Sequence, residues 1–136
     1  MTAQDRTAAL REAAELAMRH AYAPYSQFRV GAALLAVDGT IHAGCNVENS
    51  SFPAGSCAER NALGAAIGAG KQDFTALVIV TEADEPTPPC GLCRQALVEF
   101  APGLAVTSVS ALGRTAQWSL ADLLPAPFTG QSLRHA

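Results

Sequence analysis

Aromatic residues make up only 6% of this 136-residue sequence, with a single tryptophan, so its core has to be built chiefly from aliphatic side chains. Charge is sparse as well. Charged residues amount to 15%, nine basic against twelve acidic, and no basic run occurs anywhere. A net charge of −3 without a basic patch excludes a protein that relies on the phosphate backbone of nucleic acid. No apolar stretch reaches membrane-spanning length, and the segment from Met1 to Leu10 lacks the basic-then-apolar pattern of a secretory signal. A cytoplasmic protein with no membrane partner is expected. No internal repeat or low-complexity tract divides the chain, so residues 1–136 are expected to form a single domain. Hydrophobic residues reach 49%, enough to offset chain entropy, and so small and apolar a chain is expected to hide part of its surface in an oligomer.

The elements follow from periodicity and turn chemistry. Residues 5–21 place Leu10, Ala13, Leu16, Ala17 and His20 at helical spacing, with Thr2 or Asp5 as candidate cap. Residues 28–47 hold two β-like runs around Val37-Asp38-Gly39, the signature of a hairpin. A polar loop leads to a helical pattern over 57–70 that ends in glycines suited to a C-cap. An apolar strand over 75–82, a breaker-rich loop, a short helix over 90–101 and a strand over 104–112 come next. Residues 116–120 suggest an edge strand and 121–125 a helical turn. This order predicts helices packed on a mixed sheet, an α/β sandwich.

There are only four cysteines, and three of them carry the chemistry. Cys90 and Cys93 are spaced C-x-x-C at a helix start, where side chains three apart are neighbours and can share one ion. Cys57 and Glu59 are two apart, so they address one site only if Cys57 lies at the cap or first turn. At helix starts the dipole and the free N–H groups favour thiolate, the form that binds metal. Three thiolates leave a tetrahedron incomplete, the mark of a catalytic zinc with a water in the fourth position. Glu59 is placed to take that water's proton. Arg60 and Arg94 are the candidate cations to offset the surplus negative charge of the sulfurs. Each feature has a plainer reading: C-x-x-C can serve redox chemistry or packing, Glu59 can be a solvated helix residue, and Asn46, Glu48 and Asn49 a wet turn. Cys45, beside Gly44 at a strand end, reads as a small buried hydrophobe. Were it a fourth ligand, the site would be closed and the protein a structural-zinc interaction domain. His20, His42 and His135 belong to no motif, and Trp118 reads as packing at the sheet edge.

The segments "YAPYSQFRVGAALL", "NVENSSFPAGSCAERNA" and "PPCGLCRQ", in this order, resemble the small zinc-dependent cytidine deaminases, and the similarity extends from about Arg6 to the "LADLLPAPF" tail. The resemblance implies a three-layer α/β/α sandwich with a mixed sheet of about five strands, assembled as a homotetramer with one zinc per subunit. It implies hydrolysis of cytidine and 2′-deoxycytidine to uridine and 2′-deoxyuridine plus ammonia, a zinc-bound hydroxide attacking C4 while a glutamate shuttles protons. Cys57, Cys90 and Cys93 match the ligands and Glu59 the shuttle. Ala58 matches a backbone contact to the base, Phe28 the aromatic against the ring, and Asn46 and Glu48 the pair that meets the sugar hydroxyls. Phe128 matches a residue supplied by an adjacent subunit. Phe52 departs from the pattern, since many relatives carry tyrosine there. A deaminase of a cytosine-like antibiotic nucleoside shares the metal chemistry and is an alternative.

Overall fold

The structure is a computed structural model that describes residues 2–134. Its first helix, α1 (Ala3–Met18), starts at a capping box: the Asp5 N–H donates to Thr2 Oγ1 at 3.1 Å while the Thr2 N–H donates to Asp5 Oδ2 at 3.0 Å. Both candidate caps are therefore used, one at each end of the box. The helix covers 3–18 rather than the expected 5–21, because after Met18 the chain closes tight turns through His20 N–H to Ala17 O and Ala21 N–H to Met18 O. His20 lies past the helix and is exposed. Leu16, expected inside, is also exposed, and the buried face is Leu10 and Ala14. Gly31 decides that rotation, since a Cβ there would lie 1.9 Å from the Ala14 carbonyl oxygen and α1 can rest on the sheet only over a missing side chain.

Strands β1 (Val30–Ala36) and β2 (Ile41–Cys45) form the expected antiparallel hairpin, with Gly39 in the left-handed region at φ +91°. After the loop comes α2 (Ala58–Gly68), then β3 (Phe74–Thr81), α3 (Gly91–Val98), β4 (Ala105–Val109), β5 (Thr115–Ser119) and the short α4 (Leu120–Leu123). The glycine-rich end of α2 is a Schellman cap: Gly70, at φ +84°, donates to Ile67 O, and Lys71 donates to Ala66 O. The sheet order is β2-β1-β3-β4-β5, parallel only between β3 and β4.

Alternation along the central strands divides the core in two. Ala32, Leu34, Leu77 and Ile79 point toward α2 and α3, with Ala62, Ala66 and Leu97. Ala33, Leu35, Val78 and Val80 point toward α1, against Leu10 and Ala14. Helices thus cover both faces of a mixed five-stranded sheet, the expected three-layer sandwich. Trp118 is half-buried opposite Val106 at the sheet edge, packing against the α2/α3 side. Gly44 repeats on β2 what Gly31 does on β1, as a Cβ there would lie 2.4 Å from the Ala62 nitrogen. That close approach seats α2, and with it Cys57 and Glu59, directly on the sheet. Among the described residues no helix is long and apolar enough to cross a membrane. His135 lies outside them.

Candidate active site

Cys57 is the N-cap of α2 and Cys90 the N-cap of α3, both with extended backbone, and Cys93 sits in the first turn of α3. This satisfies the condition under which Cys57 and Glu59 can address one site. The sulfurs converge. Cys57 Sγ lies 3.8 Å from Cys90 Sγ, which lies 3.5 Å from Cys93 Sγ, and all three fall within 4.8 Å of one another. Sulfurs about 2.3 Å from a zinc in tetrahedral geometry stand about 3.8 Å apart, so the observed spacing fits that ion. Cys45 does not join the cluster; its carbonyl oxygen accepts a hydrogen bond from Asn61 Nδ2 at 2.7 Å. Among the described residues the set is therefore three thiols, one short of a closed tetrahedral site.

The electrostatics favour thiolate at Cys57. Hydrogen bonding from Cys93 draws its pKa down to about 5, against the opposing effect of burial, with Arg60 and Cys90 adding to the fall. Cys93, fully buried, is pushed upward by the same pairing and by burial. Arg60 Nη2 donates to Cys57 Sγ at 3.7 Å, and its Nε is buried without a hydrogen-bond partner among the described residues. A cation is thus held against the sulfurs. Arg94, the other candidate, is turned away: its Nε donates to Pro89 O at 2.8 Å and its Nη1 to Leu123 O at 2.9 Å. It ties α3 to α4.

Glu59 lies in the first turn of α2 and is only 5% exposed. Burial pushes its pKa up, and the neighbouring Cys57 charge adds to that. A buried carboxyl beside a metal-binding cluster, its pKa raised by burial, is suited to exchanging protons. Glu59, Cys57 and Cys90 open on a cleft of about 320 Å³. Its inner end is formed by Cys57, Ala58, Glu59 and Cys90 with Ile79, Thr81, Thr87 and Pro88; its outer end by Ser26, Phe28, Val30, Asn46 and Glu48. A larger hollow of about 530 Å³ lies between α1 and strands β3–β5, but no thiol or cluster of titratable groups lines it, so chemistry and not size selects the site.

Residues 4–109 match the family model described as the cytidine and deoxycytidylate deaminase zinc-binding region. The chain belongs to that family. The cytidine deaminase of Sporosarcina psychrophila is 45% identical over 121 residues, covering 88% of this chain and 89% of that protein. The cytidine deaminase of Halalkalibacterium halodurans is 40% identical over 130 residues, covering 95% and 98%. The crystal structure of cytidine deaminase from Burkholderia pseudomallei superposes with a TM-score of 0.86 at 46% identity, covering 94% of this chain and all of that one.

Within this deaminase fold the residues singled out from the sequence divide into two groups. Phe28, Asn46, Glu48, Cys57, Ala58, Glu59 and Cys90 all line the cleft, and Cys93 stands behind Cys90. Phe128 does not line it; that ring is 58% exposed, and its carbonyl accepts from Gln95 Nε2 at 2.7 Å. Phe52 is 77% exposed and meets Tyr25 edge-on, with ring centroids 6.2 Å apart. Sequence reasoning passed over Ser26, Ile79, Thr81 and Thr87. The Thr81 and Thr87 hydroxyls stand 3.2 Å apart and close the loop that delivers Cys90. Proximity of Thr87 to the double proline was the one signal that pointed to it.

Proposed function

We propose that this chain catalyses the hydrolytic deamination of cytidine and 2′-deoxycytidine to uridine and 2′-deoxyuridine with release of ammonia, a step of pyrimidine salvage. The observation that carries this reading is a buried carboxyl, Glu59, next to a three-thiol cluster that leaves one direction open to a cleft. Cys57, Cys90 and Cys93 would hold the zinc. When bound, the ion supplies a Lewis acid that brings the pKa of a water toward neutrality. Arg60 offsets the excess negative charge of the thiolates. Glu59 accepts one proton from the attacking water and passes it to ring N3, then takes the remaining proton from the new C4 hydroxyl and hands it to the amino group, so that the C4–O bond formed replaces the C4–N bond broken and water plus cytidine balance uridine plus ammonia. Burial of Glu59 holds that proton where the reacting carbon lies and away from bulk solvent.

The outer end orients the nucleoside. The Phe28 ring and the backbone at Ala58 would flank the base, and Asn46 and Glu48 would take the sugar hydroxyls. Those two side chains are already engaged: Asn46 accepts from Val30 N–H and donates to Phe28 O, and Glu48 accepts three bonds from Tyr25 and Ser26. A carboxylate has about four acceptor sites, so Glu48 keeps one for a sugar hydroxyl. The reading extends to a cytoplasmic homotetramer of single-domain subunits. Tyr22, Tyr25, Val47, Phe52 and Leu92 are exposed apolar side chains near the cleft and support burial against another copy, with Phe128 reaching a neighbouring cleft. Incubating zinc-loaded protein with cytidine tests the reaction: absorbance loss should accompany one ammonia per uridine. No turnover of either nucleoside would overturn it.

A further inference from the structure

The loop that carries Phe28 into the cleft holds an unusual backbone. Gln27 has φ +55°, in the left-handed region that residues with a β-carbon seldom adopt, and such a conformation persists only where its surroundings fix it. On one side, Glu48 accepts from the Tyr25 N–H at 3.0 Å, from the Ser26 N–H at 3.1 Å and from the Ser26 hydroxyl. Ser26 Oγ in turn accepts from the Phe28 N–H at 3.1 Å. On the other side, Asn46 Oδ1 accepts from Val30 N–H at 2.9 Å and Asn46 Nδ2 donates to Phe28 O at 2.8 Å.

Chemistry fixes the direction of the central link. An ionised carboxylate only accepts and a backbone amide only donates, so the group between them must do both. The Ser26 hydroxyl gives its proton to Glu48 and a lone pair to Phe28. A methyl at this position would leave the Phe28 N–H without its partner and free one oxygen of Glu48.

We propose that Ser26 is a positioning residue that joins the sugar end of the cleft to the base end, so that the carboxylate offered to the sugar also fixes the main chain of Phe28. The proposal rests on reading the cleft as a nucleoside site. A sugar hydroxyl reaching Glu48 meets a group already braced against the ring-bearing loop. Sugar recognition and ring placement then form one unit, and removing Ser26, which touches neither the base nor the sugar in this scheme, should weaken both.

The test combines steady-state kinetics on the zinc-loaded full chain with amide hydrogen exchange at Phe28, for Ser26→Ala, Ser26→Thr, Glu48→Ala and the Ser26→Ala/Glu48→Ala double variant. Ser26→Ala should raise the KM for cytidine about tenfold while changing kcat less than about threefold. Ser26→Thr keeps the hydroxyl and should recover most of the loss. The double variant should fall no more than about threefold below Glu48→Ala, because the two side chains act through one link. Exchange at the Phe28 amide should quicken about tenfold in Ser26→Ala and in Glu48→Ala, and stay slow in Ser26→Thr. Losses that multiply in the double variant, a wild-type KM in Ser26→Ala, or unchanged Phe28 exchange would each overturn the proposal. If the wild type does not deaminate cytidine, the nucleoside reading fails by itself, and the exchange pattern alone decides the Ser26 link.

Discussion

The two ends of the cleft are built by different means. At the inner end, Cys57 and Cys90 are helix N-caps, Cys93 and Glu59 sit in first turns, and both helices rest on a sheet core that is almost wholly buried. At the outer end, Ser26, Phe28, Asn46 and Glu48 sit on or beside loops held by side-chain hydrogen bonds, with exposed aromatic neighbours in Tyr25 and Phe52. Secondary structure positions the first set; polar cross-links position the second. Reactive groups that must converge on one ion gain from the rigidity of packed helices. Groups that must admit and release a substrate gain from loops, whose contacts can open locally at low cost.

The comparison is broken most severely at the thiols. Cys90→Ala should lose zinc and with it all measurable deamination, whereas Cys45→Ser should keep both, since Cys45 stands outside the cluster. Metal analysis beside an activity assay checks this, and zinc retained in full by Cys90→Ala would show that the inner end is not the metal centre. Next in size is Glu59→Gln, which keeps the shape but cannot carry a proton. Its kcat should fall by roughly a hundredfold to ten-thousandfold with zinc content unchanged. A variant within a few fold of wild type would remove Glu59 from the proton path.

The tail, outside this subunit's own cleft lining, predicts a smaller and more conditional loss. Phe128→Ala should lower kcat/KM about tenfold if its ring closes a neighbouring subunit's cleft, the scale of one lost apolar contact to a ligand. Mixed and reassembled subunits bearing Glu59→Gln and Phe128→Ala separately should then regain activity above the sum of the parents. No gain after proven subunit exchange would place Phe128 on its own subunit, and a fully active monomer by light scattering would dismiss the shared cleft.

The smallest effect lies at the opposite end of the β1–β2 hairpin from the site. Asp38 accepts from Lys71 Nζ at 2.7 Å and from Thr40, bonds that hold its carboxyl well below the usual range, Lys71 first. A depressed folded-state pKa means that this stability is present above the unfolded value of about 3.9 and is lost as pH falls below it. The melting-temperature gap between wild type and Asp38→Asn should therefore be small and constant from about pH 7 to 5, and close below about pH 4. A gap that widens with acid would reverse the assignment.

Much of this was legible in the sequence because it depends on near neighbours. Capping at Thr2 and Asp5, the Asp38-Gly39 turn, the glycines after α2 and the thiols at two helix starts are set by contacts within a few residues. Three thiols with one nearby acid already suggested an open zinc site, while only the folded positions set Cys45 outside the cluster. Selection among equals was a tertiary matter. Arg60 and Arg94 are each adjacent to a ligand in sequence, yet one donates to Cys57 and the other to Leu123 O, because α3 faces α4 on the side where Arg94 emerges. The buried face of α1 likewise depended on where Gly31 admits the Ala14 backbone, which helical periodicity alone does not encode. Asn46 and Glu48 could be matched to a sugar by motif, but their commitment to the Phe28 loop appears only once residues some twenty positions apart are folded together. Short-range rules fix what each segment becomes. The sheet order β2-β1-β3-β4-β5 brings Cys57 to Cys90 and Glu48 to Ser26, and it is held because helices bury the apolar side chains on both faces of β1 and β3, removing them from water.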